Sequence, residues 1–364
     1  MTNCSHNLFS KRATNYSQFT NYYKHLQTLK TMKKILSILT IVALFTGCNP
    51  VEPDNSTGEG KLTINVKGAI ETKAVTDVVG NEATVNNLQI FIFDGEVCKY
   101  YFDNGTSLSK TIDKVKTGTY EIWVVANLGE TLSATVTKSA LKTKALTLAQ
   151  NASASGFVMS GDKQVEVKSS GTESVEITIS RFVARARLVR VTNNLSAGYG
   201  NIKIKYVMLN NVVSNQNVAG NAAISTWSNK MGRNSGAIID GTTKSEAPES
   251  LLGNSTERNI AVGSSDTPNF RFYGYANGTA GDTNDITTWS ARKTRLVVVA
   301  EILGNIYYYP VTLPSFMRNS AYDISLTIRN LGSNDPETKP TTDAIDATIT
   351  VAPWEEGGEV IEEI

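Results

Sequence analysis

Leu296-Val-Val-Val-Ala-Glu-Ile-Leu303, then Gly304-Asn305, then Ile306-Tyr-Tyr-Tyr-Pro-Val-Thr-Leu313: two runs of β-branched and aromatic residues meet at a Gly-Asn pair. Each run has the length of a strand, and a short turn of glycine and asparagine between such runs is a strong local hairpin signal. The rest of the chain repeats the theme. Strand-like runs stand at 88–93, 120–126, 156–159, 165–168, 175–179, 185–191, 202–209, 270–275, 322–328 and 347–351. Turn pairs separate them: Asp94-Gly95, Asn104-Gly105, Thr117-Gly118 and Gly161-Asp162. Helical periodicity is weak and strongest over 132–145. Many short strands with polar turns, and no alternation with helices, predict an all-β chain built of β-sandwiches rather than a doubly wound sheet.

Upstream, Met32-Lys-Lys-Ile-Leu-Ser-Ile-Leu-Thr-Ile-Val-Ala-Leu-Phe-Thr-Gly-Cys48 has a basic start at Lys33 and Lys34, an apolar run, and small residues before a cysteine. This is the pattern of a bacterial lipoprotein leader, and its apolar run is too short to span a bilayer. It predicts export, removal of 32–47, and a lipid on the Cys48 sulfur that tethers the protein to a membrane. Residues 1–31 contain no acidic residue and no sustained periodicity. They read as an extension from a start codon placed too early, or as a long basic region of the leader.

That processing empties the inventory of reactive groups. Both histidines, His6 and His25, and Cys4 precede Met32, so Cys98 is the one thiol left beside the lipidated Cys48. Serine–histidine and cysteine–histidine catalysis are thereby excluded for the mature chain, as are zinc sites of histidine or cysteine. Carboxylate-only hydrolysis survives as a formal option, but no acid pair stands out. The expectation is no enzyme, no catalytic residue, no metal and no cofactor. Cys98 lies in a strand-like run and reads as a half-buried structural thiol. Six of the 35 lysines and arginines, and none of the 34 acids, precede Cys48, leaving a net charge of −5 from there on. The charge is spread along the chain and gives no nucleic-acid footprint.

The 364 residues exceed one small sandwich, so two domains are expected. The stretch 214–267 is dense in Asn, Ser, Gly and Thr, and reads as a long polar insertion on the surface of the second domain. Arg181, Arg185, Arg187 and Arg190 form a basic run in which Arg185 and Arg187 share a strand face, either solvated or at an inter-domain contact. Trp123, Trp227 and Trp289 are scattered in sequence and form no sugar-stacking set, and Trp354 reads as a core or strand-end anchor. In Lys61-Leu-Thr-Ile-Asn-Val-Lys67 the apolar Leu62, Ile64 and Val66 alternate with Thr63 and Asn65, a strand with one buried face. The same alternation recurs at Ile345, Ala347, Ile349 and Val351, before Pro353, Trp354 and a Gly357-Gly358 joint.

Four segments carry a resemblance. They are the lipoprotein signal followed by a polar spacer and Lys61-Leu-Thr-Ile-Asn-Val-Lys67; Val85-Asn-Asn-Leu-Gln-Ile-Phe-Ile-Phe-Asp94; Glu176-Ile-Thr-Ile-Ser-Arg-Phe-Val-Ala-Arg-Ala-Arg-Leu188; and a C-terminal set. That set is Tyr322-Asp-Ile-Ser-Leu-Thr-Ile328, the turn at Gly332 and Asp335-Pro336, and Ala347-Thr-Ile-Thr-Val-Ala-Pro-Trp354. In order and spacing they resemble the Bacteroidales fimbrillin family, the major fimbrial subunits made as lipidated precursors. The resemblance implies two transthyretin-like β-sandwich domains in tandem, at 74–183 and 184–364, after a lipidated propeptide at 48–73. It implies cleavage between Lys73 and Ala74 by a trypsin-like protease, although the family more often has arginine there. Cleavage would release the lipid and the leader strand of Leu62, Ile64 and Val66, leaving a groove for a strand of another subunit. The implied donor strand is Ile345, Ala347, Ile349 and Val351. The expected partners are further copies of the chain, other fimbrial subunits, the outer membrane through the lipid, and a surface ligand of host or bacterium. The expected location is the outer membrane and then an extracellular fimbrium. An uncleaved anchor, a tip subunit, or a monomeric glycan-binding surface lipoprotein are the alternatives.

Overall fold

A computed structural model describes residues 58–68, 82–151, 156–230, 252–284, 289–353 and 360–363, all inside one compact unit, Thr57–Ile364. Cys48, the Lys73–Ala74 bond, Trp354 and the Gly357-Gly358 joint lie outside the described residues. The chain is all-β, as expected. The first strands are β1 (Glu59–Lys67), β2 (Leu88–Asp94), β3 (Val97–Asp103), β4 (Ser109–Lys116) and β5 (Gly118–Ala126). After a short helix α1 (Lys138–Thr143) come β6 (Ala145–Thr147), β7 (Met159–Val167), β8 (Thr172–Thr178) and β9 (Ser180–Arg181). Next are β10 (Val183–Asn193), β11 (Ile202–Asn210), β12 (Val212–Val213), β13 (Asn215–Asn217), β14 (Trp227–Ser228) and β15 (Leu252–Ile260). The remainder are β16 (Ser265–Asp266), β17 (Phe270–Tyr275), β18 (Arg295–Ile302), β19 (Asn305–Thr312), β20 (Ser320–Ile328), β21 (Ile345–Pro353) and β22 (Val360–Glu363).

Two layer pairs follow from these strands. In the first, the sheet β4-β1-β8 faces the sheet β3-β2-β5-β7-β9. Leu62, Ile64 and Val66 from β1 meet Leu88, Ile90 and Ile92 from β2, and Ile122 and Val124 from β5, in a core of their own. The opposite face of β2 and β5 is buried as well, with Phe91, Phe93, Trp123 and Val125 packing under Leu141, Leu146, Leu148 and Phe157. A strand buried on both faces reads as a continuous apolar run, which is why Leu88–Asp94 is nearly unbroken. In the second pair, the sheet β14-β12-β17-β10-β20-β21-β22 faces β15-β11-β18-β19. Ala184, Ala186 and Leu188 of β10 and Leu296, Val298 and Ala300 of β18 contribute to its core.

Three local expectations shift. The hairpin of β18 and β19 pairs Ile302 with Asn305, so its turn is Leu303-Gly304 and Asn305 is already in the strand. Both turn residues have positive φ, 50° and 78°, which the right-handed twist of a two-residue hairpin demands. The helical signal over 132–145 contracts to the six residues of α1, capped by the Thr137 hydroxyl, which accepts from the Ala140 amide at 3.1 Å. The stretch 214–267 is no mere surface insertion. β15 adds to β11 in the sheet, β13 pairs with β6 across the expected boundary after 183, and Val218 and Ile260 are buried. Polar strands of this kind hide from a pattern search because a strand at a sheet edge needs few apolar residues.

Candidate functional site

The polypeptide's first described strand occupies a central place. β1 runs antiparallel to β4, from Glu59 opposite Lys116 to Asn65 opposite Ser109, and parallel to β8, from Lys61 opposite Thr172 to Lys67 opposite Thr178. Its inward side chains are almost fully enclosed: Leu62 and Ile64 are 0% exposed and Val66 is 6% exposed. At about 1.5–3 kcal/mol per buried aliphatic side chain, these three contribute on the order of 5–9 kcal/mol, an upper bound because an unfolded chain already hides some apolar surface.

The outward face is read just as closely. The Lys61 ammonium lies 2.8 Å from the Asp113 carboxylate and that of Lys67 lies 2.9 Å from Glu176. Thr63 shares a hydroxyl–hydroxyl hydrogen bond of 3.2 Å with Thr111. Asn65 donates to the Ser174 hydroxyl at 3.4 Å and accepts from that of Ser109 at 3.0 Å. The hydrogen bond from Lys61, more than its charge alone, holds the Asp113 carboxyl below the usual carboxylate range. At the upstream end, a Cβ added to Gly60 would lie 2.1 Å from the Lys168 carbonyl oxygen, so the backbone approach there requires glycine.

Where the described residues resume, at Glu82, the chain is bolted down. Glu82, 1% exposed, accepts from Arg185 Nη1 at 2.7 Å and from the Tyr273 hydroxyl at 2.7 Å. Its main-chain oxygen accepts from Arg181 Nε at 2.9 Å. Burial, and then the Glu82 carboxylate, push the Tyr273 phenol far above its ordinary range. Asn127 continues the clamp: its side chain donates to Thr84 O at 2.8 Å and accepts from the Asn86 amide at 2.8 Å. Arg185 and Arg187 therefore are not a solvated face. They turn away from the second core, Arg185 to Glu82 and Arg187 to Asp323 on the neighbouring strand β20, both guanidiniums at most 4% exposed. Arg190, at the far end of the run, is exposed. Glu82 escaped the sequence reading; the available signal was the Arg-x-Arg alternation inside an otherwise apolar strand, which requires buried acids opposite it.

The C-terminal candidate strand is folded into its own sheet. β21 pairs antiparallel with β20, from Ser320 opposite Pro353 to Ile328 opposite Ile345, and with β22 on its other side. Ile349 and Ala347 are buried in the second core, and Ile345 and Val351 pack against it. The connection that leads into β21 is held by a buried ion cluster. Glu337, next to the Asp335-Pro336 turn, meets Arg292 at 3.2 Å and Arg295 at 2.9 Å, and accepts from Asn211 at 3.0 Å. Cys98 is buried, its thiol donating to the Tyr100 carbonyl at 3.3 Å, and burial raises its pKa, as befits a structural thiol. Trp227 and Trp289, distant in sequence, come together edge to face at 5.6 Å, with Arg292 5.0 Å and Lys230 5.5 Å from the Trp289 ring centre. Arg292 is itself buried against Glu337, so the pair is a packed stack rather than an open platform. Among the described residues no group of three or more histidines, cysteines or acids could hold a metal ion, and no helix is long and apolar enough to cross a membrane.

The chain as a whole is similar to known proteins. Residues 55–357 match the family model for fimbrillin-A associated anchor proteins Mfa1 and Mfa2. No curated protein matches the chain. Among solved structures, a fimbrilin (FimA) of Porphyromonas gingivalis W83 is similar with a TM-score of 0.60 at 18% identity, covering 83% of this chain and 99% of that one. A candidate cell adhesion protein of Bacteroides eggerthii DSM 20697 gives 0.62 at 19% identity over 82% of this chain and 96% of that one. Another from Parabacteroides distasonis ATCC 8503 gives 0.55 at 16% identity over 84% and 99%. At such identities the likeness establishes the fold, and the family match covers most of the chain. The chain belongs to the fimbrillin-A associated anchor protein family of Mfa1 and Mfa2, a family of fimbrial subunits and not of enzymes.

Proposed function

We propose that the protein is a structural subunit of a surface fimbria, exported as a lipoprotein on Cys48, cut between Lys73 and Ala74, and polymerised by strand exchange in support of adhesion. The observation that carries this reading is the place of β1: the first described strand and the middle one of its sheet, with three enclosed side chains, joined to the next described strand through 68–87. Loss of such a strand opens two ladder edges and an apolar slot together. A strand from another subunit can refill both, with main-chain hydrogen bonds supplying affinity and alternating pockets supplying register. The clamp at Glu82 supports the same reading, because it would hold the start of the body in place when 48–73 depart. Ile345, Ala347, Ile349 and Val351 are the proposed donor residues, leaving β20 to enter a neighbour. A head-to-tail contact of this kind builds an open filament. In this reading 74–183 and 184–364 act as the two sandwich domains of the subunit. Its partners are further copies, other fimbrial subunits and a trypsin-like protease, and its location passes from the outer membrane to the fimbrium.

A second reading is favoured by the family's own description, which names anchor proteins. An anchor keeps its lipid and β1, and ends the filament at the membrane. Mass and N-terminal sequence of protein sheared from the cell surface separate the two. A lipid-free chain beginning at Ala74 and forming filaments supports the stalk; a lipidated chain beginning at Cys48 sinks it in favour of the anchor.

A further inference from the structure

The place of β1 is demanding about what may occupy it, and the chain's own C-terminal strand does not meet the demands. Ala347-Thr-Ile-Thr-Val351 matches Leu62-Thr-Ile-Asn-Val66 at three of five positions, Thr348, Ile349 and Val351, so its alternation suits the inward pockets. In that register, however, three flanking residues fall badly. Ile345 takes the position of Gly60, where a Cβ would meet Lys168 O at 2.1 Å and Val167 Cγ1 at 3.0 Å. Asp346 takes the position of Lys61 and brings a carboxylate to Asp113 in place of an ammonium. Ala352 takes the position of Lys67 and leaves Glu176 without that cation. Sliding the strand by two residues either way does not help, because 343–353 contain neither glycine, lysine nor arginine.

We propose that this slot is selective for a strand that lies parallel to β8, with glycine at the Gly60 position and a cation at each end of its apolar run. The slot therefore discriminates against the C-terminal strand of a second copy. The inference rests on the proposed vacating of β1 and deepens it by naming the chemistry of the preferred occupant. The consequence is a rule of order. β1 outcompetes a second copy's strand on size, since Leu62 fills what Ala347 would leave empty, on charge and on backbone clearance. Exchange between copies must then wait for cleavage, and it requires the 168–171 connection to give way. A heterologous strand with the glycine and both cations enters without that adjustment.

The test uses the full chain cut at Lys73, with the leader stripped in mild denaturant, and three labelled peptides. One is 58–68, one is 343–353, and the third is 343–353 carrying I345G, D346K and A352K. The 58–68 peptide should bind tightest, and the triply substituted peptide should bind about tenfold better than its parent, given two exposed ion pairs and one relieved clash. Part of that gain should vanish in about 0.5 M salt, where screening shortens to a few ångströms. Equal affinity of all three peptides would overturn the selectivity while leaving the slot itself intact. If even the 58–68 peptide fails to rebind, the vacated slot is not a strand site, and both the strand-exchange reading and this one fall.

Discussion

The two layer pairs are closed in different ways. In the second, β10 and β18, which supply much of the core, each lie between two other strands of the same layer pair. In the first, the smaller sheet has three strands, and its middle one is the first described strand, separated from β2 by residues 68–87. A core sealed from within its own sequence is a stable element. A core sealed by the first described strand opens, when that strand leaves, without dismantling the rest. The contrast predicts that equivalent damage in the two halves has unequal reach.

The joint between the halves should be most sensitive. Glu82→Ala strands Arg185 without its carboxylate in a dry setting, and breaking such a pair costs about 3–5 kcal/mol. Chemical denaturation of the purified protein measures it, and a loss below 1 kcal/mol would mean that the clamp does not hold the halves together. Next come the paired truncations Ile64→Ala in β1 and Ile349→Ala in β21, each about 2–5 kcal/mol for a buried aliphatic side chain. Their costs should be similar but differently distributed. In native-state hydrogen exchange, Ile64→Ala should speed the amides of β1, β4 and β8, while Ile349→Ala should lower protection across the second half. Identical exchange patterns would erase the proposed difference between the two closures. Gly60→Ala is a finer probe, with overpacking against the Lys168 carbonyl costing about 1–3 kcal/mol. It should loosen β1 alone, visible as faster exchange at the Leu62 and Ile64 amides; unchanged exchange would show that the close approach is easily relaxed. The smallest effect is a gain. Leu303 is 67% exposed at φ 50°, a conformation that asparagine tolerates better, so Leu303→Asn should stabilise the second half by about 0.5–1 kcal/mol. A drop in melting temperature would instead reveal a hidden contact of that leucine.

How much of this was legible depends on what each segment must bury. β2, β18 and β19 announce themselves, since a strand covered on one or both faces needs apolar side chains in unbroken or alternating order. β4, Ser-Lys-Thr-Ile-Asp-Lys-Val-Lys116, and β15 do not, because they lie at sheet edges where polar residues suffice. The alternation of Leu62, Ile64 and Val66 revealed a buried face, yet nothing in seven residues could disclose that β1 lies between β4 and β8 rather than beside one of them. That is a matter of long-range pairing. For the arginines, two readings stood open, a solvated face or a contact between domains, and the solvated one fails. Arg185 and Arg187 are buried against Glu82 and Asp323, 103 and 136 residues away, partners that a local pattern does not reveal. Trp227 and Trp289 meet for the same reason: long-range packing brings together what the sequence keeps 62 positions apart.

The pairing of β1 with neighbours on both sides also has a mechanical meaning. Traction across a strand, applied at one end, peels its rungs in sequence. Traction along a strand held on both edges loads the rungs of two ladders together, so that none gives way alone. The occupant of this position, whether the protein's own leader or a strand from a neighbour, is thus held in the geometry that best resists being pulled lengthwise. Single-molecule pulling from residue 58, along and then across the strand, would measure that anisotropy as a difference in rupture force.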